Sequence, residues 1–165
     1  MRRALAIALT AVTLVIAATS VGAHCQIPCG IYDDMMRIRM LHEHVTTIDK
    51  SVRLIGELAG KHGAADLNQA VRWVENKDEH AEALAEIVVE YFLQQRVKAP
   101  QNDDQAARTR YLEQLQALHG LLVSSMKAKQ NVDPEIAAVL TGQIERFSAA
   151  YFSEEQLEIM AQHRR

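Results

Sequence analysis

The sequence is poor in the residues that sheet-rich folds and nucleic-acid-binding proteins use. Aromatic residues make up 5% of its 165 residues, and it has seven glycines and three prolines. So few aromatic and turn-forming residues speak against an all-β fold and favour helices. Acidic residues outnumber basic ones, 21 Asp+Glu against 18 Lys+Arg. Without a basic surplus to bind a phosphate backbone, nucleic acid is not expected as a partner.

Motifs that place a metal ion inside a helical bundle are also missing. No glutamate is followed by a histidine three residues later, which excludes the Glu-x-x-His pairs of di-iron bundles. His42, Glu43 and His44 do not make a His-Glu-x-x-His motif, because residues two apart on a helix point to different faces. The two cysteines, Cys25 and Cys29, do not have Cys-x-x-Cys spacing. Metal chemistry is therefore expected outside the helices.

Residues 1–23 have the layout of a secretory signal peptide. Two arginines precede an uncharged apolar run, and small residues follow up to Ala23. Cleavage before His24 would leave residues 24–165 as one domain, exported to the periplasm or the extracellular space. An uncleaved anchor is the alternative, but the run is short for a bilayer, so no membrane attachment is expected after cleavage. Removal of the two arginines lowers Lys+Arg from 18 to 16, which gives a net charge near −5.

The clearest helix is predicted by apolar residues that recur at intervals of three and four. This stripe contains Ile38, Leu41, Val45, Ile48, Val52, Ile55 and either Leu58 or Ala59. Asp33 or Asp34 is expected to cap its start, and Gly60 or Gly63 to mark its end.

A second helix is predicted from about Asp66 to Arg96. Its expected inward residues are Leu67, Val71, Val74, Ala81, Leu84, Val88 and Tyr91. The polar stretch ENKDEH, residues 75–80, interrupts this stripe. It is interpreted either as a solvated end of the fold or as a polar site.

Two further helices complete the pattern after a polar linker. Their stripes contain Tyr111, Leu115, Leu118, Leu122 and Ser125, and then Leu140, Ile144, Phe147 and Tyr151. The fourth helix is expected to open with Asp133 as N-cap and Pro134 as first helical residue, and a short helix or tail is expected from Ser153. Four helices with short connections predict an all-α fold, an antiparallel four-helix bundle behind an irregular N-terminal segment.

The N-terminus exposed by cleavage would read HCQIPCG, whose donor atoms suit a metal ion. The α-amine of His24, the backbone amide nitrogen of Cys25 and the thiolates of Cys25 and Cys29 can form a square-planar set, with the His24 imidazole as axial ligand. Such a set favours Ni(II) or Cu(II) over zinc. Pro28 and Gly30 permit the turn that returns Cys29 to the metal. A disulfide between the cysteines, without metal, is the alternative in an oxidising compartment.

The stretch HCQIPCGIY, residues 24–32, closely resembles the nickel hook of nickel superoxide dismutases, H-C-x-x-P-C-G-x-Y. The resemblance implies one nickel ion per subunit, held by His24, Cys25 and Cys29, in a homohexamer of four-helix bundles. It also implies that superoxide is disproportionated to oxygen and hydrogen peroxide while nickel alternates between Ni(II) and Ni(III).

The resemblance also extends to residues around the metal. Tyr32 matches the family's tyrosine near the substrate, and Tyr91 is a second, weaker candidate. The family holds its axial imidazole with a glutamate and an arginine, whereas this chain offers Arg39 or Met40 and, in the second helix, His80. His80 is the preferred hypothesis for orienting His24, because a ligating imidazole needs such a partner.

The charge of the protein and its methionines lead to two further hypotheses. An overall negative charge does not attract an anionic substrate, so a local positive patch formed by Lys77 and Arg39 is the hypothesis. The alternative function is a secreted bundle that carries nickel or copper without turnover, with Met35, Met36 and Met40 as additional soft ligands.

Overall fold

Helices succeed one another along the part of the chain that the computed structural model describes, residues 32–101 and 103–162. From Asp33 onward these residues belong to one compact unit. Its elements are α1 (Asp34–Leu58), α2 (Ala64–Glu86), a π-helical continuation of α2 (Ile87–Arg96), α3 (Gln105–Gln130), α4 (Ile136–Tyr151) and α5 (Glu154–Gln162). Within the described ranges, no helix is both long and apolar enough to cross a lipid bilayer.

The first four helices form a bundle. Helix α1 packs mainly against α2 and α3 mainly against α4, while contacts between α2 and α3 and between α1 and α4 close the ring. Because consecutive helices are joined by short connections and pack side by side, they run antiparallel. The structure confirms the all-α bundle predicted from the apolar stripes.

Helix α1 follows its predicted stripe closely. Five of the predicted inward residues are buried: Ile38, Leu41, Val45, Ile48 and Val52. The carboxylate of Asp33 caps the helix by accepting a hydrogen bond from the Met36 N–H at 2.8 Å. After Leu58 the chain turns at Gly60, whose φ of 83° is a conformation that glycine adopts without strain.

Helix α2 differs from the prediction in its first half. Leu67, Val71 and Val74 were expected to face inward, yet 54%, 57% and 40% of their surfaces are exposed. The buried stripe that contains Ala81, Leu84, Val88 and Tyr91 continues toward the N-terminus through Lys77, which is 2% exposed. A charged residue, Lys77, thus occupies a buried position of α2 where an apolar residue would be expected. The apolar residues Leu67, Val71 and Val74 lie instead on the exposed side of the helix.

The buried Lys77 side chain joins α2 to the end of α3. Its ammonium group donates hydrogen bonds to the carbonyl oxygens of Ala128 and Lys129, and it lies 2.7 Å from the Asp78 carboxylate. The last carbonyl groups of a helix have no partner within the helix, so the lysine satisfies them. The hypothesis that Lys77 contributes to an exposed positive patch is therefore wrong.

The stretch 75–80 is neither a solvated end nor a single polar site. It makes three separate contacts with other helices. Besides the Lys77 contact, the Asn76 amide donates to Ser51 Oγ at 3.0 Å, and His80 contacts His44 across α1 and α2. The apolar stripe is interrupted here because the side chains that contact the neighbouring helices are polar. Each of these contacts holds α2 against α1 or α3.

In α3 only Leu118 and Ser125 of the predicted stripe are buried, whereas Tyr111, Leu115 and Leu122 are partly exposed. Helices α4 and α5 agree with the predicted pattern except at the start of α4. Leu140, Ile144 and Phe147 are buried in α4. This helix begins at Ile136, two residues later than predicted, because Asp133 first closes a turn: its carboxylate accepts the Glu135 N–H at 3.0 Å. The short terminal helix is present as α5.

Substitution of Lys77 should destabilise the bundle. In Lys77→Met the side chain keeps its apolar stem, but the carbonyl groups of Ala128 and Lys129 lose this donor, the first of them in a buried contact. We therefore expect a loss of about 1–3 kcal/mol in the free energy of unfolding. Urea denaturation followed by circular dichroism measures this loss.

Lys129→Met is the matched control for Lys77→Met. The Lys129 ammonium lies 3.2 Å from Glu82, and both side chains are largely exposed, so its removal should cost about 0–1 kcal/mol. Equal losses in the two variants would show that the buried hydrogen bonds of Lys77 do not stabilise the fold.

Candidate functional site

The start of α1 carries a carboxylate that faces the bundle. Asp33 occupies the N-cap, which leaves Asp34 as the first helical residue, beside the unsatisfied N–H groups of the first turn. A negative charge is favourable at this end of a helix because the helix dipole is positive there. Asp34 lies two residues after Tyr32, the last residue of the predicted metal-binding segment.

Three side chains from other helices donate to the Asp34 carboxylate. Its Oδ1 accepts from the Tyr91 hydroxyl at 2.6 Å and from Arg96 Nε at 2.8 Å. Its Oδ2 accepts from Arg96 Nη2 at 2.7 Å and from the Tyr151 hydroxyl at 2.8 Å. The arginine contact is bidentate, which is the strongest geometry for this pair. We call Asp34, Tyr91, Arg96 and Tyr151 the Asp34 cluster.

The π-helical segment gives the cluster its geometry. Residues five apart on an α-helix lie about 140° apart around its axis, which would turn Arg96 away from Tyr91. In a π-helix the backbone bonds join residues five apart, as from the Val97 N–H to the Phe92 carbonyl at 2.8 Å. Tyr91 and Arg96 therefore lie on one side of the segment, and both reach Asp34.

The electrostatics of the cluster keep the carboxylate charged and the hydroxyl groups protonated. Burial disfavours the ionised form of Asp34, but hydrogen bonds from Arg96 and the two tyrosines outweigh it, so the Asp34 pKa lies below its ordinary value of 3.8. Burial and the hydrogen bond to Asp34 raise the pKa of Tyr151 to about 12 and that of Tyr91 further. The hydrogen bond to Asp34 raises the pKa of Arg96.

Aromatic packing fixes Tyr151 in the cluster. Its ring stacks on Phe147 with centroids 5.1 Å apart, and Phe92 contacts both rings edge to face. Phe92 and Phe147 are fully buried. Such packing holds the tyrosine ring in one orientation, so its hydroxyl is preorganised toward Asp34.

The structure pairs His80 with another histidine. Its Nδ1 lies 2.9 Å from His44 Nδ1, a hydrogen bond in which one ring donates and the other accepts. Burial and the neighbouring His80 lower the pKa of His44. Of the other residues considered for orienting His24, Arg39 is exposed on α1 and Met40 accepts a weak contact from Arg37 Nη1 at 3.6 Å.

The predicted metal ligands His24, Cys25 and Cys29 lie outside the described residues. Tyr32 is half-buried. Tyr91 is fully buried, and its hydroxyl is directed to Asp34. Within residues 32–101 and 103–162, no group of three or more His, Cys, Asp or Glu side chains is arranged to hold a metal ion.

Sequence reasoning missed three members of the cluster. Asp34 was considered as a helix cap, Arg96 as a helix end and Tyr151 as part of an apolar stripe. One signal in the sequence could have indicated the cluster: a tyrosine ends the apolar stripe of α4. A buried hydroxyl needs a hydrogen-bond partner, so such a tyrosine predicts a polar contact. The partner itself lies 117 residues earlier in the chain, at Asp34, and no local pattern identifies it.

Comparison with known proteins gives one match. The family model described as nickel-containing superoxide dismutase matches residues 19–155, which is most of the chain and includes all of residues 24–32. No curated protein and no solved structure matches the chain.

Removal of the Asp34 charge should weaken the fold in a pH-dependent way. Asp34→Asn removes the carboxylate that pairs with Arg96, and we expect a cost of about 1–3 kcal/mol in the free energy of unfolding near neutral pH. A depressed carboxyl pKa stabilises the folded state above the ordinary value of 3.8, and this contribution is lost as the pH falls through the folded-state pKa. Urea denaturation over a series of pH values should therefore show wild type and variant converging below about pH 3.8.

Asp33→Asn is the control for the Asp34 variant. Asparagine is as good an N-cap as aspartate, and Asp33 is exposed, so stability should change little. A difference between wild type and Asp34→Asn that stayed constant down to the lowest pH would contradict the proposed electrostatics.

Proposed function

Because the chain belongs to the nickel-containing superoxide dismutase family and is a nickel-dependent superoxide dismutase, we propose that residues 24–32 form its nickel hook. The observation that carries this proposal is the stretch HCQIPCGIY inside the matched region. It contains both cysteines of the protein, and its pattern agrees with the family's hook at every fixed position.

The donor set of this segment fits nickel. Thiolates of Cys25 and Cys29 are soft ligands, and the amine and imidazole of His24 add nitrogen donors of the type that Ni(II) prefers. The backbone amide nitrogen of Cys25 completes the set. Nickel bound there supplies one-electron exchange with superoxide by changing between Ni(II) and Ni(III).

The proposed hook requires a free α-amine at His24. We propose that residues 1–23 are a signal peptide and that cleavage after Ala23 exposes this amine. The two arginines, the apolar run and the small residues before Ala23 support this proposal. The mature protein would then be periplasmic or extracellular.

The reaction consumes two superoxide ions and two protons and yields one oxygen and one hydrogen peroxide. In our proposal the Tyr32 hydroxyl orders the water that delivers these protons and limits access by larger molecules. Tyr91 has a different role. Its raised pKa keeps it protonated, and its hydroxyl is committed to Asp34, so it acts as a positioning residue that holds the first turn of α1.

Replacement of one thiolate tests the ligand set. Cys29→Ser should lose both nickel and superoxide dismutase activity, by about 100-fold or more in activity, since removal of a ligand leaves the metal unbound. Metal analysis, intact mass and superoxide decay on protein exported by its host report the bound element, the first residue and turnover together.

Gln26→Ala is the matched control for Cys29→Ser, because Gln26 lies between the cysteines and is at a variable position of the motif. It should keep nickel and activity. Nickel retained at full stoichiometry in Cys29→Ser, or an active wild type that begins at Met1, would contradict the hook.

We further propose that the protein assembles into a homo-oligomer, a hexamer by likeness to the family. The exposed apolar stripe Leu67, Val71 and Val74 on α2 supports association, since such a surface is favourably removed from water. Val71→Glu should reduce the assembled fraction about tenfold or more, measured by sedimentation velocity, because it places a charge in an apolar contact.

Gln69→Glu adds the same charge two residues away, on another side of α2, and serves as the control. It should leave assembly unchanged. Identical sedimentation of wild type and Val71→Glu would exclude this face from the subunit contact.

A further inference from the structure

Two histidines face each other across the interface between α1 and α2. His44 lies on α1 and His80 on α2, and their Nδ1 atoms are 2.9 Å apart. The ring centroids are 5.1 Å apart, and the ring planes are inclined by 60°. Both rings are half-buried. Neither histidine belongs to the Asp34 cluster or to the proposed hook, so the function proposed above does not account for this pair.

The distance between the two Nδ1 atoms leaves room for one hydrogen atom. A hydrogen bond of this length needs an N–H on one ring and a lone pair on the other. A neutral imidazole carries its hydrogen on one nitrogen, so the two neutral rings must adopt complementary tautomers, one protonated at Nδ1 and the other at Nε2. The contact also survives one added proton, if the donor ring gains it at Nε2 and donates as an imidazolium.

A second added proton removes the contact. When both rings are imidazolium, each Nδ1 carries a hydrogen, and no acceptor remains between them. Two positive charges then face each other with the ring centroids 5.1 Å apart, a distance at which like charges repel even in water. Double protonation of His44 and His80 therefore opposes the packing of α1 against α2.

The charges around His44 leave this repulsion in place. Burial and the neighbouring His80 lower the pKa of His44, and the adjacent Glu43 carboxylate opposes them only in part. Glu43 is exposed, so water and salt screen it. His42 lies two residues before His44 and points to a different face of α1. Within the described ranges, no charge from α3 or α4 adds to these effects.

The charges on α2 around His80 are engaged elsewhere or exposed. Lys77, one turn earlier, is directed to the end of α3, and Asp78 pairs with it. Glu79 is exposed. The salt bridges formed by residues 32–101 and 103–162 include neither His44 nor His80. Within these ranges, a doubly charged pair is therefore not neutralised by a carboxylate in contact with it.

We propose that His44 and His80 form an acid-sensitive contact between α1 and α2, which holds while one hydrogen lies between the two Nδ1 atoms and breaks when both rings are protonated. The proton is thus a ligand that loosens the interface between the first two helices. The inference is independent of the proposed hook, since none of residues 24–32 takes part in it.

The range of pH follows from the direction of the shift. A histidine whose pKa is lowered on folding stabilises the folded state above its ordinary value of 6.5, and this contribution is lost progressively as the pH falls below 6.5. The contribution of Asp34 is lost at lower pH, below its ordinary value of 3.8. The two effects therefore separate on a pH scale.

The tautomers of the two rings give the first test. Long-range ¹H–¹⁵N correlation spectra of the full protein at about pH 8, where both rings are neutral, report the hydrogen on each ring nitrogen. The variants His44→Asn and His80→Asn assign the signals. We expect the Nδ1–H fractions of His44 and His80 to add up to about one. Two rings that are both mainly protonated at Nε2 would overturn the proposal.

The pH dependence of urea denaturation, at fixed protein concentration, gives the second test. Relative to His44→Asn, the folding equilibrium constant of wild type should fall about fivefold or more between about pH 7.5 and 5. An asparagine amide can still hydrogen-bond to His80 but does not gain a proton. His80→Asn should show the same loss of pH dependence, which keeps the test valid if one of the two variants folds poorly.

His119→Asn is the matched control, because it makes the same substitution at an exposed position of α3. It should keep the pH dependence of wild type. The same pH dependence in wild type, His44→Asn and His80→Asn would overturn the proposal. An equal loss of pH dependence in His119→Asn would also overturn it, since the effect would then come from histidine charge in general and not from the contact.

Discussion

The organisation of the bundle depends on one ionised carboxylate, that of Asp34. Its four hydrogen bonds come from Tyr91 and Arg96 at the end of the second helical element and from Tyr151 at the end of α4. A partly buried charge is costly unless every acceptor site is satisfied. The first turn of α1 is therefore fixed relative to two other helices at the point where the chain leaves Tyr32.

A second polar contact, at Lys77, lies toward the other end of the bundle. There a buried ammonium group satisfies the last carbonyl groups of α3. Most of the other buried residues are apolar, and Leu41, Leu84 and Leu118 are fully buried. Apolar side chains bury surface without requiring one particular partner, whereas hydrogen-bonded charges accept few arrangements. Together with the Asn76–Ser51 and His44–His80 contacts, these two contacts restrict which helices pack together and in which register.

In our proposal the metal ligands and the helical bundle belong to different parts of the chain. The described helices carry ion pairs and hydrogen bonds, and nickel in our proposal is held by residues 24–29. Within the bundle, Asp34 pairs with Arg96, and the Arg37 guanidinium lies over the Tyr91 ring.

The sequence by itself determined the helical class, the stripe of α1 and the hook motif, because each depends on residues close together in the chain. Only the tertiary structure decided that Lys77 is buried, that His80 pairs with His44, and that the Asp34 carboxylate accepts a hydrogen bond from the Tyr151 hydroxyl. These contacts join residues 51, 36 and 117 positions apart. The register between helices selects such partners, and that register follows from packing of the whole core, which periodicity within one helix does not contain.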